Sequence, residues 1–567
     1  MKKTAIIFLL CFLLSACQST PSQTTDEPIK TSGYDLSFSA SDLEIGYDED
    51  AQVIELSKDL EITDPGTYIL QGEMTGQIKI NVSESDSVRL VLDNVVIHAS
   101  NQPAVYILSA DKVFLTLSEN SVNVLSENGE FIQSDDNHPD GVIFSKSDLT
   151  INGEGTLKIE TASGHGIVSK DDLIIGSGTY EITASGQALN GKDCVKINSG
   201  TFILNSGKDA IQSDNSEYAE RGFVYINNGN FQIVSNQDGI QAEHYLQIDA
   251  GNFSIETIQK DEESAKAIKS DGDLLIQQGN YKITSDDDAL HSNGNLWIED
   301  GNFMITSKDD GMHADASLTI SNGEITITQS YEGLEGQHVL ISDGNISITS
   351  SDDGINATDS NTTNSRMEVV EDASIIINGG SLVVNAEGDG LDSNGTLEIN
   401  GGDIVIYGPQ NGGNGALDTA SSAIISSGNL YATGYSQMAV ALTTQNDACA
   451  ILYALNTTYP ANTSVKVSNG SEVLAEYDIP KSFNCLNLSM TSFKVNDTIM
   501  LTVGNDTYEI NLSESTYSNV NGMNMPQRGP QGNQDGGFQE KPQGERPMGQ
   551  KPEGDLKQPD MKSVPTE

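Results

Sequence analysis

Three pairs of adjacent carboxylates sit at one position of an internal repeat: Asp287 and Asp288, Asp309 and Asp310, Asp352 and Asp353. The first two pairs are 22 residues apart. Two residues before the first apolar residue of successive copies stand Asp209, Asp238, Lys266, Asp288, Asp310, Glu332, Asp353 and Asp389. If the copies stack in register, neighbouring carboxylates lie about 5 Å apart. Their repulsion is then about 3 kcal/mol per pair at an effective dielectric near 20, and under about 1 in bulk water. A dry column of this kind requires protonation or a bound cation, whereas a solvated edge tolerates the charge. Hard oxygen donors on turns favour calcium. The expected ligands are Asp287, Asp288, Asp309, Asp310, Asp352 and Asp353, assisted by Asp315 and Glu332.

Two further columns could carry chemistry. The residue after each first apolar position reads Lys269, His291, His313, Glu335, Asn356 and Asp392. It is an acid–base set beside the acidic edge, although outward histidines are usually inert. A second column should point to solvent from an L-x-I segment: Tyr225, Gln247, Leu275, Trp297, Thr319, Leu340 and Ile376. Trp297 is the single tryptophan. With Tyr225 and Leu275 it is the expected sugar-stacking surface, unless a loop or the tail covers it.

The elements that position these columns are short strands. Residues 287–308 (DDALHSNGNLWIEDGNFMITSK) and 309–330 (DDGMHADASLTISNGEITITQS) are one design written twice, followed at 331–351 by a copy one residue shorter. Each copy holds three β-type segments separated by Gly, Asn and Asp, as turns require. Strands this short, repeating at a period near 22, predict a solenoid with three strands per turn, an all-β parallel β-helix. The first inward residues are Ile143, Ile167, Leu189, Ile211, Ile240, Ile268, Leu290, Met312, Leu334, Ile355, Leu391 and Leu417. Longer gaps carry polar inserts at 214–222 and 358–372, expected as loops. Stacked rungs of this number give a core on the order of 55 Å long. The G-x-(F/Y/I/L) position, from Tyr180 through Phe202, Phe231, Phe253, Tyr281 and Phe303, alternates onto the inner side and predicts an interior ladder. The glycine before it suits a corner needing positive φ.

In chain order, residues 1–17 read as a lipoprotein signal whose Leu14-Ser15-Ala16-Cys17 lipobox makes Cys17 the expected lipidated residue. A polar tether (18–33), an N-terminal β cap with first rungs (34–137), the regular rungs (138–430) and a C-terminal β cap or small β module (431–518) follow. Residues 519–567 are Gly/Pro/Gln-rich and read as a disordered tail. Cys194, Cys449 and Cys485 fit neither a zinc cluster nor a dense disulfide framework, and pairing of Cys449 with Cys485 stays open. Lys+Arg 29 against Asp+Glu 82 gives a net charge of −53, so nucleic acid is not an expected partner. The expected molecule is one extended, monomeric domain on the extracellular face of a bacterial membrane, touching it through the lipid alone.

The segments HPDGVIFSKSDLTINGEGTLKI (138–159), GHGIVSKDDLIIGSGTYEIT (164–183), LNGKDCVKINSGTF (189–202), KDAIQSDN (208–215), RGFVYINNGNFQI (221–233) and QDGIQAEHYLQI (237–248) resemble the bacterial carbohydrate-binding domain-containing family. The resemblance covers roughly residues 90–520. It implies a right-handed β-helix of pectate-lyase-like fold, bound calcium, and binding of plant-wall polysaccharide such as cellulose or polygalacturonate. A polysaccharide lyase or hydrolase on the same fold is the rival reading. Arg221, Arg366 and Lys269 are its candidate bases, and Gly164, His165, Gly166 and the Asp pairs are the hydrolase-like motif. All of the latter fall at one repeat register, so the repeat explains them without chemistry. A structural adhesin or envelope spacer is the third reading.

Overall fold

A computed structural model describes residues 33–47, 51–132, 136–260, 263–359, 370 and 372–520. Cys17, nearly all of the tether, Arg366 and the segment from 521 lie outside the described residues. The chain divides into a short unit, Met1–Asp35, and a large one, Leu36–Glu567, which holds every described strand. The fold is all-β, and the single helix among the described residues is the four-residue Ala40–Leu43.

Through most of the repeat each strand pairs in parallel with the strand three steps along the chain; Met312–Ile320 and Leu334–Ile341 each run two of these segments together and pair two steps along. Ile240–Ala242 pairs with Ile268–Ser270, Tyr245–Ile248 with Asp273–Ile276, and Asn252–Thr257 with Asn280–Ser285. Three ladders result. In the first, every inward residue named from the sequence faces its successor, from Ile143↔Ile167 to Leu391↔Leu417. The inserts do not disturb this: Ile211 still meets Ile240, and Ile355 still meets Leu391. The same ladder continues back through Val105, Ile78 and Leu60. Strand alternation sends these residues into one apolar core that extends from Leu56 to Ala450.

The third ladder carries the aromatic column. Tyr180, Phe202, Phe231, Phe253, Tyr281 and Phe303 stack with ring centroids 4.5–4.9 Å apart and planes within 6° of parallel. All are buried, as the alternation predicts. The corner before them requires glycine. Gly251 has φ +140°, and a Cβ there would lie 2.8 Å from the Phe253 ring and 3.0 Å from the Gly229 carbonyl.

At the far end the direction of pairing changes. Phe483–Ser489 runs antiparallel to Asn429–Gly434 and to Ala450–Tyr459, covering backbone that would otherwise form an open edge. Thr463–Asn469, Glu472–Ile479, Thr498–Val503 and Asp506–Asn511 form a separate four-stranded antiparallel sheet, with a core centred on Val465, Ile499 and Leu501. Cys449 and Cys485 are buried free thiols in this region, so the pairing left open by the sequence is not made.

Phe253→Ala removes one ring from the middle of the stack and should cost about 3–5 kcal/mol. Because each rung touches only its neighbours, the loss should be local. Hydrogen exchange should show weakened protection at residues 229–305 and little change in the antiparallel sheet.

Candidate functional site

The acidic column lies at the corner that leads into the first ladder, and it has a structural duty. Asp209 Oδ1 accepts the backbone N–H of Asp238 at 2.9 Å, and Asp238 Oδ1 accepts that of Lys266 at 2.8 Å. Asp288 does the same for Asp310 (3.0 Å), Asp310 for Glu332 (3.1 Å) and Asp353 for Asp389 (2.6 Å). A buried amide left unpaired costs about 1–3 kcal/mol, so a short acceptor is favoured here; Lys266 and Glu332 are the copies that depart from it. This role went unread in the sequence, although short side chains that bond to local backbone are a known signal.

Between 266 and 313 the column carries its own counter-charges. Lys266 Nζ lies 2.8 Å from Asp287 Oδ1 and 2.7 Å from Asp288 Oδ2. His291 Nδ1 lies 2.8 Å from Asp288 Oδ2. His313 lies 3.1 Å from Asp310, 3.2 Å from Asp315 and 3.4 Å from Glu335. Burial opposes ionisation of Asp288, but the Lys266 ammonium and the two histidines hold its carboxyl well below the usual range. Burial likewise opposes the His313 imidazolium, and the hydrogen bonds to Asp310 and Asp315 outweigh it, raising that pKa. Asp309 is pushed up to about 7 by burial and by Asp310, Asp288 and Asp287.

Asp287, Asp288 and Asp309 do bring oxygens within 4.8 Å of one another. An ammonium already sits on two of them, however. At Asp287 and Asp288 an ion would therefore share its oxygens with the Lys266 ammonium; the sequence placed Lys266 in the column but did not show its Nζ reaching the next rung. Asp310 and Asp315 are likewise engaged by His313.

The later rungs differ. Asp353, Asp389 and Asp392 place oxygens within 4.8 Å of one another. Asp353 is pushed up to about 10 by burial and by Glu332, Asp392, Asp389 and Asp352. Asp392 rises to about 8 through burial, Asp389, Asp418 and Asp352. Glu332 is raised well above its ordinary value by burial, Glu335 and Asp310. Asn356 donates its Nδ2 to Glu332 at 2.8 Å, and its buried Oδ1 is left without a partner. Among the described residues the donors grouped here are oxygens. Asp352 and Asp353 were expected ligands, whereas Asp389, Asp392 and Asn356 were not, although all three stood in the columns already read.

The outward stripe is only partly exposed. Tyr225 and Leu275 are buried, and Trp297 is half-buried. Phe38 packs on Tyr225 with ring centroids 5.8 Å apart, and Lys196 Nζ donates to the Ser37 carbonyl at 2.9 Å. Asp42 continues this strap, bonded to Lys112 at 2.7 Å and to Thr150 at 2.6 Å. Tyr225 and Leu275 point away from the core as expected but do not offer a solvent-facing platform.

The candidate bases are tied to acids. Arg221 pairs with Asp193, and Lys269 lies 3.2 Å from Asp271. His165 Nδ1 accepts the Gln187 N–H at 3.0 Å, and burial lowers its pKa.

A core of parallel strands with an acid-lined corner defines a repetitive all-β class of protein. The family described as carbohydrate-binding domain-containing protein matches residues 57–311 and 306–472, most of the chain, and this protein belongs to it. A carbohydrate-binding domain-containing protein of Acetivibrio thermocellus is 35% identical over 128 residues, which is 22% of this chain and 45% of that relative. The chain thus matches under half the length of this curated relative. Among solved structures, the polysaccharide lyase-like protein from C. thermocellum, gadolinium derivative, is similar at 28% identity and a TM-score of 0.38, covering 40% of this chain and 96% of that chain.

Asp209, pushed up to about 7 by burial and by Asp238, favours the folded state when protonated. Its contribution is complete below about pH 4 and is lost as the pH rises through about 7. Asp209→Asn keeps an oxygen for the Asp238 N–H but removes the titration. Chemical denaturation should find this variant more stable than wild type above about pH 7, with the two converging near pH 4.

Proposed function

We propose that this protein is a polysaccharide-binding lipoprotein of the bacterial cell surface, built on a calcium-stabilised, right-handed parallel β-helix, and that it binds its ligand without cleaving it. The observation that carries the reading is the family match over 57–472, the stretch that bears the three ladders and the acidic corner. In-register return of every third strand supports the β-helix. The tying of Arg221 and Lys269 into ion pairs favours binding over proton abstraction. Plant-wall polysaccharides, neutral or acidic, are the ligand class proposed.

Calcium is proposed at Asp353, Asp389 and Asp392; Asn356, the register partner of Asp392, carries an unpartnered Oδ1 as a candidate neutral ligand. Bound there, the ion would supply positive charge to carboxylates that burial and their mutual repulsion hold above the ordinary range. The chain itself keeps the oxygens in place, because Asp353 is fixed by the Asp389 amide. Asp352 remains a candidate helper.

Three experiments test these parts. EDTA should lower the melting temperature, and calcium at about a hundredfold over Kd should restore about 2.7 kcal/mol per site. Asp353→Asn with Asp392→Asn should abolish that response, whereas Asp287→Asn should leave it intact. The wild-type protein should be pulled down on cellulose or polygalacturonate with calcium present, and no unsaturated uronides should absorb in the ultraviolet. Release of such products, abolished by changing Lys269 or Arg221, would establish a lyase instead. Cys17→Ala should free the protein from the membrane fraction or leave its signal uncleaved, and unchanged processing and attachment would refute the lipid anchor.

A further inference from the structure

We propose that the polysaccharide lies in a groove on the outer face of the third ladder, over residues 201–326, and that it is an extended, electrically neutral glycan. The proposal rests on the carbohydrate-binding reading above and adds to it a place and a charge class. The groove has a volume of about 670 Å³. Its floor is the strand backbone that carries the buried aromatic stack on its other side.

One wall is a ladder of side-chain amides. Asn252 Nδ2 donates to Asn230 Oδ1 at 2.9 Å, Asn280 to Asn252 at 2.8 Å, and Asn302 to Asn280 at 2.9 Å. All four side chains are exposed. Each interior amide uses one N–H and one lone pair within the ladder, leaving the second N–H and second lone pair to solvent. The free groups therefore recur at the rung spacing, about 4.8 Å. A polymer with a regular array of hydroxyls meets the same donor and acceptor again and again. The amides are already held by one another, so binding immobilises less side-chain freedom than it would on isolated asparagines.

The next outward column supplies apolar surface and depth. Ile203 is 37% exposed and Met304 is 55% exposed, near opposite ends of the groove. Between them, Ser254 is the short side chain in the register Gln232↔Ser254↔Lys282. The C–H faces of sugar rings suit such a mixed surface, as apolar and polar groups alternate along it.

Charge selects the ligand class. The charged residues of the lining are Lys282 and Glu324, which cancel, on a chain whose net charge is −53. A polyuronate would gain no positive patch here and would approach against the field of the whole molecule. A neutral glycan pays no such penalty. The half-covered stripe of Tyr225, Leu275 and Trp297 offers no comparable open face.

The test uses the full protein with calcium present and three soluble probes: cellohexaose, xylohexaose and hexagalacturonate. A bound glycan should shield Met304 from sulfoxidation by peroxide, read by peptide mass spectrometry. At least one neutral probe should slow that oxidation severalfold, and hexagalacturonate should not. Ser254→Arg, an exposed change that leaves the core untouched, should weaken neutral binding by about tenfold or more with an unchanged melting temperature. If a neutral probe binds while Met304 oxidises as before and Ser254→Arg binds normally, the groove is wrong and the carbohydrate-binding reading stands. Protection by hexagalacturonate alone overturns the neutral class. If no probe binds and neither cellulose nor polygalacturonate retains the protein, the groove and the reading fall together.

Discussion

In-register parallel pairing is the constraint on which everything else in this molecule depends. Each residue stands beside its counterpart in the next rung, so any side-chain choice made once is made again about 4.8 Å away. For aromatic rings this is favourable: Tyr180 through Phe303 stack almost parallel inside the core. For asparagine it is favourable too, since an amide both donates and accepts, and Asn230 through Asn302 chain together. For carboxylates it is costly, because two acceptors of like charge are forced together where water is scarce.

The acidic column persists because one carboxylate oxygen has work that no apolar residue could do. It accepts the corner amide of the following rung, from Asp209 and Asp238 to Asp353 and Asp389. The second oxygen carries the electrostatic problem, and the chain meets it differently along its length. Around Asp288 and Asp310 the counter-charges are Lys266, His291 and His313, contributed by the column itself and its neighbour. Around Asp353 and Asp392 the pKa values rise to about 10 and about 8. Such values mark oxygens that want a proton or an external cation. Buried charge left uncompensated would be strongly destabilising, so the two arrangements should respond differently to pH.

The same repetition makes the outer faces unlike one another. The outward column of the second ladder is crossed by residues 37–44, through Phe38 on Tyr225 and Asp42 against Lys112 and Thr150. The first ladder's corner is acidic and partly buried. The third ladder's face stays open, amide-lined and close to neutral. Register is kept on either side of 214–222 and 358–372, Ile211 meeting Ile240 and Ile355 meeting Leu391, so length variation between these rungs does not reach the core.

The sequence by itself determined the period, the three segments of each rung, the twelve inward residues of the first ladder and the buried aromatic column. Those features follow from strand alternation and self-similarity, which are local and repeated, and each pairing agrees with them. It also exposed the acidic column and hence the need for a counter-charge. It could not assign that charge. Whether Lys266 Nζ reaches Asp287 and Asp288 depends on a side chain crossing to the next rung, not on spacing. The burial of Tyr225 was equally out of reach, since the strap that covers it bonds Ser37 to Lys196 across 159 residues of sequence. Asn356 Oδ1 became notable only once its other amide atom was seen committed to Glu332. Repetition made the framework legible, whereas the sites depend on contacts that the repeat does not encode.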